Sequence, residues 1–163
     1  MLSIRHLNQD FDLTALRILY QEAADYWILA DRRPPGDAKV TAFFTDTPPG
    51  CDPAASQRLG LFPHGARMGG VAVLSFGFPT QHDAYIDLML LAPHLRGQGH
   101  GAEVVRDLEG RAQAMGARGL YLAVLAANPR GRAFWEREGF RATGLSGIDP
   151  DTGHQLHRLG KAL

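Results

Sequence analysis

Apolar and polar positions along this 163-residue chain change period repeatedly, and the changes mark out the elements. Leu2 and Ile4 alternate with Ser3 and Arg5, the period of a half-buried strand over 2–7. Leu13, Leu16, Leu19, Ala23, Tyr26 and Trp27 then recur at helical spacing and predict one helix from Phe11 to Ala30. Arg33-Pro34-Pro35-Gly36 stops it. A second short helix is expected over 37–44. Two apolar runs, 57–62 and 68–78, flank Pro63-His64-Gly65-Ala66 and read as a hairpin, with Gly69 and Gly70 suggesting a bulge. A strand over 84–91, a helix over 98–115, a strand over 119–125 and a helix over 129–138 follow. Two more strands start near Gly139 and His154. The order is β-α-α-β-β-β-α-β-α-β-β, an α/β (α+β) fold with a mixed sheet and helices on both faces. The length suits one domain spanning 1–163.

Composition narrows the classes. Seventeen basic and seventeen acidic side chains leave no net charge, and no long basic run is present, so nucleic acid is not expected as a partner. No apolar run is long enough to span a membrane, and the first residues are too polar for a signal peptide. The single cysteine, Cys51, permits no intrachain disulfide and fits a cytoplasmic protein. Seven histidines and that cysteine show no metal-ligand spacing, so no metal is expected.

The candidate chemistry begins at Arg96-Gly97-Gln98-Gly99-His100-Gly101, between an apolar strand and an amphipathic helix. Glycines at alternate positions let backbone N–H groups meet a ligand, and the helix adds unpaired N–H groups and a positive dipole end. That is an anion site suited to a pyrophosphate. A P-loop is excluded, because no Lys-Ser/Thr pair ends the glycine run. A dinucleotide turn fits poorly, because no carboxylate follows the next strand. Arginines 96, 106, 111, 130, 132 and 137 are near enough in sequence to serve phosphates.

Arg96-x-x-Gly99-x-Gly101 resembles the Q/R-x-x-G-x-G/A signature of the GNAT superfamily of acyl-CoA-dependent N-acetyltransferases. Asn128 to Phe140, NPRGRAFWEREGF, resembles the family's N-x-x-A-x-x-F-Y-E-K-x-G-F block. The two stand in the family's order and spacing. The resemblance implies a largely antiparallel GNAT-like sheet and acetyl-CoA held by Arg96, Gly97, Gln98, Gly99, His100 and Gly101. It further implies that the pantetheine arm meets the backbone near Leu90, Leu91 and 123–127, with Asn128 and Trp135 beside it. The implied reaction moves acetyl from acetyl-CoA to a primary amine by direct attack in a ternary complex. A small molecule or a peptide would be the acceptor, and homodimers are common in the family.

Trp135 departs from the pattern, which often has Tyr there to protonate the leaving thiolate; an indole cannot. Tyr85 and Tyr121 are substitute candidates. The alternative reading is an acyl-CoA-binding regulatory module without catalysis. Asp87 interrupts an apolar strand and is the candidate base, on the face opposite Ile86 and Leu88; His82 and Asp83 are alternatives. Acceptor recognition is expected from Tyr26 and Trp27, with Asp31 and Arg33 nearby.

Overall fold

A computed structural model describes residues 1–65 and 67–163. Ala66, in the expected hairpin turn, lies outside them. The elements are β1 (Leu2–His6), α1 (Gln9–Glu22), α2 (Ala24–Asp31), α3 (Asp37–Ala42), β2 (Gln57–Pro63), β3 (Gly70–Phe76) and β4 (Asp83–Leu91), followed by α4 (His100–Ala114), β5 (Gly119–Leu125), α5 (Pro129–Arg137), β6 (Arg141–Ile148) and β7 (Gln155–Ala162). The expected order holds, with the first helix in two segments. The described strands form one sheet in the order β1-β2-β3-β4-β5-β7-β6. Every neighbouring pair is antiparallel except β4 and β5.

Each face of the sheet carries its own core. On one face Val104, Val105, Leu108 and Ala112 of α4 pack on Leu59, Leu61, Leu74, Ala84 and Ile86. Their spacing along α4 gives the apolar stripe a surface helix needs. Phe134 and Trp135 of α5 join this core. On the other face Leu16, Leu19 and Tyr20 of α1, Trp27 of α2, Val40 of α3 and Phe43 at its end pack on Val71, Val73 and Leu90. No helix among the described residues is long and apolar enough to cross a membrane.

Two expectations are corrected. The helix over 11–30 breaks at Ala23, whose backbone leaves helical geometry (φ −98°, ψ 26°) while its N–H still bonds Leu19 C=O. The break brings Trp27 against Tyr20, ring centroids 4.7 Å apart. Neither Gly nor Pro marks this break, so the helical period runs through it unaltered. The bulge falls not at Gly69 and Gly70 but in β4. Register passes from Val73↔Leu88 to Leu74↔Ile86, leaving Asp87 without a partner. Gly70 answers a different need, since a Cβ there would stand 2.6 Å from the Leu90 carbonyl oxygen.

Two glycine substitutions should therefore move stability in opposite directions. Gly70→Ala forces backbone apart inside the sheet and is expected to cost roughly 1–3 kcal/mol. Gly110→Ala, inside α4 with nothing within 4 Å of the new methyl, should stabilise by roughly 0.4–1 kcal/mol. Thermal melts of the two variants beside the wild type test this; a Gly70→Ala melt at the wild-type temperature would contradict the close approach.

Candidate functional site

The site begins where two strands part. β4 and β5 pair in parallel only from Asp83↔Gly119 to Tyr85↔Tyr121. Beyond those residues both strands continue, to Leu91 and Leu125, without pairing to each other. Their facing backbone edges leave N–H and C=O groups that an extended ligand can bond as an added strand would. A cleft of about 910 Å³ runs along this parting.

The glycine turn closes one end. After a short 3₁₀ turn at Pro93–Leu95, Gly97 and Gly99 take left-handed conformations (φ +73° and +86°), and α4 starts at His100. No side chain caps the start of α4. Among the described residues, nothing lies within 4 Å of where a Cβ would stand on Gly97 or Gly99. The turn therefore offers open space, bare N–H groups and a helix dipole in one place, the requirements of an anion cradle. Gly101 meets a packing need instead. A Cβ there would sit 3.0 Å from the Phe134 ring, so its absence lets α4 approach α5.

The side chains around this turn are largely committed. Arg96 is not a solvated loop residue. Its Nε donates to Leu91 C=O at 3.1 Å, and its guanidinium forks onto the Asp25 carboxylate of α2. The pairing holds the Asp25 carboxyl below the usual carboxylate range. Gln98 donates to His94 C=O, and His100 stands 3.9 Å from Glu103, which itself accepts from the Leu2 N–H. Arg96, Gly97, Gly99 and Gly101 line the cleft, as do Arg130 and Arg137 of α5. Arg111 and Arg132 instead pair along their own helices with Asp107 and Glu136.

Leu90 and the half-buried Leu91 pack into the two cores and also line the cleft, where their backbone edge faces the parting. Asn128 caps α5, its Oδ1 accepting from the Gly131 N–H at 3.0 Å, with Pro129 at the first helical position. Trp135 lines the cleft while packing edge-on against Phe134 and Phe140 at 5.0 and 5.3 Å.

The bulge in β4 builds the other end. Leu88 pairs with Val73 and joins the core beneath α1 and α2, and Asp87 bonds Ser75, two residues further along β3. Asp87 thus shares a face with Leu88 and opposes Ile86 alone. The extra residue shifts the alternation by one, which strict period-two reading misses. Ser75 Oγ donates to Asp87 Oδ2 at 2.7 Å and also meets Ser56 Oγ at 2.8 Å. Asp87 Oδ1 is buried with no partner among the described residues. Burial pushes the Asp87 carboxyl up to about 7, against the opposing pull of the Ser75 hydrogen bond and the Arg58 charge.

Tyr26 and Trp27 both line this end, together with Tyr20 and Phe43. Lys39 sits 4.8 Å over the Trp27 ring and pairs with Asp31 at 3.1 Å. The β6–β7 turn reaches over to α2, where His154 Nε2 donates to Leu29 C=O at 2.7 Å and Arg32 Nε donates to Thr152 C=O at 2.8 Å.

Several sequence candidates fall elsewhere. Tyr85 packs edge-on against Phe78 at 5.0 Å, the Tyr121 ring covers Gly119 and Gly160, and neither lines the cleft. Asp83 accepts from Thr80 at the far end of β4, where the strands are still paired, and His82 is exposed beside it. Burial, and then the charge of Asp87, distant in sequence, raise the Cys51 thiol. Sequence reading missed Arg58 and Ser75. Their only signal was the one that singled out Asp87, a polar residue within an apolar strand.

Splayed strands joined to a glycine-capped helix and a buried acid define a class: α/β proteins whose sheet parts midway to open a cleft. Residues 16–140 match the family model of the acetyltransferase (GNAT) family, and the chain belongs to that family. An acetyltransferase from Thermus thermophilus is similar over 100% of this chain and 97% of its own, at 23% identity and a TM-score of 0.77. A GCN5-related N-acetyltransferase from Kribbella flavida is 21% identical over 99% and 98%, with a TM-score of 0.71. The ribosomal-protein-S18-alanine N-acetyltransferase of Escherichia coli is 18% identical over 99% and 94%, with a TM-score of 0.70. No curated protein matches the chain.

Proposed function

We propose that this protein moves an acetyl group from acetyl-CoA to a primary amine by direct attack, with Asp87 as the base. The parting of β4 and β5 carries the reading, because it sets an anion cradle and a buried carboxyl at opposite ends of one cleft. The backbone of Gly97 to Gly101 would hold the pyrophosphate and the edges of β4 and β5 the pantetheine arm, with Asn128 and Trp135 beside it. Bound there, acetyl-CoA supplies an acetyl thioester.

An amine acceptor is protonated near pH 7, and only its free form is nucleophilic. Asp87 takes that proton. A carboxyl at its usual pKa is too weak a base, whereas one raised to about 7 is matched to the working pH. Trp135 cannot protonate a departing thiolate. The tyrosines of the cleft are Tyr20 and Tyr26, and burial raises both hydroxyls, keeping them protonated and able to donate. A thiol's pKa of about 8.5 makes departure without an acid only mildly unfavourable. Cys51, its thiol raised, is poorly suited to a covalent route.

Titration calorimetry with acetyl-CoA, followed by an amine screen reading released CoA, tests the proposal. Micromolar binding and amine-dependent CoA release are expected. Binding without turnover would favour the non-catalytic module, and no binding by folded protein would overturn both readings.

A further inference from the structure

Among the described residues, the buried side-chain nitrogens and oxygens without a hydrogen-bond partner are Trp27 Nε1, Arg58 Nη2 and Asp87 Oδ1. They come from α2, β2 and β4, yet all three residues line the same cleft. Buried polar groups are otherwise almost always satisfied, so three orphans around one cavity point to a ligand that completes them.

Arg58 is the most informative of the three. It is 8% exposed, and its hydrogen bond is to a neutral acceptor, Phe43 C=O, from Nη1. Buried guanidinium groups normally pair with a carboxylate. Arg58 forms no ion pair among the described residues, although Asp87 and Asp46 are near enough for their charges to act on it. Arg58 and Asp87 are therefore neighbours out of contact. An unpaired cationic donor and an unpaired indole N–H lining one cleft call for an anion. An unpaired carboxylate oxygen calls for an N–H donor.

Resting on the acetyltransferase reading, we propose that the acceptor is a zwitterion, an amino acid or close analogue. Its carboxylate is bound by Arg58 Nη2 and Trp27 Nε1, and its amine faces Asp87. Most acids along the cleft do not argue for a polycationic acceptor instead. Asp25 and Asp31 are already paired, with Arg96 and Lys39, and Asp149 caps its own turn by accepting from the Asp151 and Thr152 N–H groups. Asp46 and Glu138 also line the cleft, and the Asp46 charge acts on Arg58. A diamine would leave the buried Arg58 unpaired and face its repulsion. Tyr20, Tyr26, Trp27 and Phe43 add aromatic surface suited to an apolar side chain.

The test compares L-amino acids with their carboxamides, which keep the shape and lose the charge. In the wild type, kcat/KM from CoA release should favour the acid on the order of tenfold or more. Arg58→Met should erase that preference, and Arg58→Lys should restore part of it, with acetyl-CoA affinity unchanged in both. Equal use of acid and amide, or preference for amides or diamines, would overturn the proposal. If no amine turns over, calorimetry on the CoA-saturated protein decides. Heat from acids alone, lost in Arg58→Met, supports the zwitterion site, and heat from neither overturns it. Acetyl-CoA binding, measured separately, reports whether the underlying reading still stands.

Discussion

Gly99→Glu should bind acetyl-CoA at least about a hundredfold more weakly than the wild type, while remaining folded. Gly99 has φ +86°, so any L side chain adds strain of roughly 1–2 kcal/mol. Gly99→Ala carries that strain alone and should weaken binding by less than about tenfold, because its methyl enters open space. Glutamate carries the same strain but puts a carboxylate where a pyrophosphate would lie, against the first N–H groups of α4. A negative charge at a helix N-terminus is favourable by roughly 0.3–1 kcal/mol, so the helix itself is supported. The loss would come from occupation and repulsion rather than unfolding. Calorimetry paired with thermal melts separates the two. A Gly99→Glu variant that binds like the wild type would mean that the turn is not the anion site.

Asp87→Asn should lower kcat/KM by about 10²- to 10⁴-fold, the usual worth of a positioned base. The shape of the pH profile matters more than the size of the loss. Wild-type kcat/KM should show a break near pH 7, where Asp87 loses its proton, and the variant should lack it. A break that persists in Asp87→Asn would assign it to another group.

The same substitution has a stability signature of defined sign. Folding raises the Asp87 pKa from 3.8 to about 7. Between those values the native protein holds a proton that the unfolded chain releases, so stability falls as pH rises through that window and stays reduced above it. The full shift corresponds to at most about 4 kcal/mol, less because the carboxyl is only partly shielded from solvent. Asparagine has no such dependence. Between pH 4 and pH 7 the melting temperature of Asp87→Asn should rise relative to the wild type, by roughly 2–4 °C per kcal/mol for a chain of this size. The buried Asp87 carboxyl thus destabilises the fold once it is ionised, a cost of the kind common where function needs an unfavourable group.

Features set by near neighbours in the chain were readable from the sequence. The glycine turn lies between a strand and a helix, each with its own period, and left-handed geometry at Gly97 and Gly99 needs no distant partner. Asn128 caps α5 through Gly131, three residues away. The periods also recovered the element order and the presence of helices on both faces, because burial of one face or stripe is what writes the period.

What the sequence alone could not decide rests on contacts between distant segments. Arg96 meets Asp25 across 71 positions, so a residue at the glycine turn became a clamp on α2. Arg58, Ser75 and Asp87 lie on three strands and become one site only through register and the bulge. The bulge is a mismatch between two strands, set by how β4 lies against β3, and neither strand encodes it by itself. Tyr85 and Tyr121 sit in strands that reach the cleft, but they form the last pair of β4 and β5, where the sheet has not yet opened. Local propensity, turn chemistry and hydrophobic period set the elements and the anion cradle. Strand register, the break at Ala23 and the parting of β4 from β5 set which side chains share the cavity, because those depend on how whole elements pack.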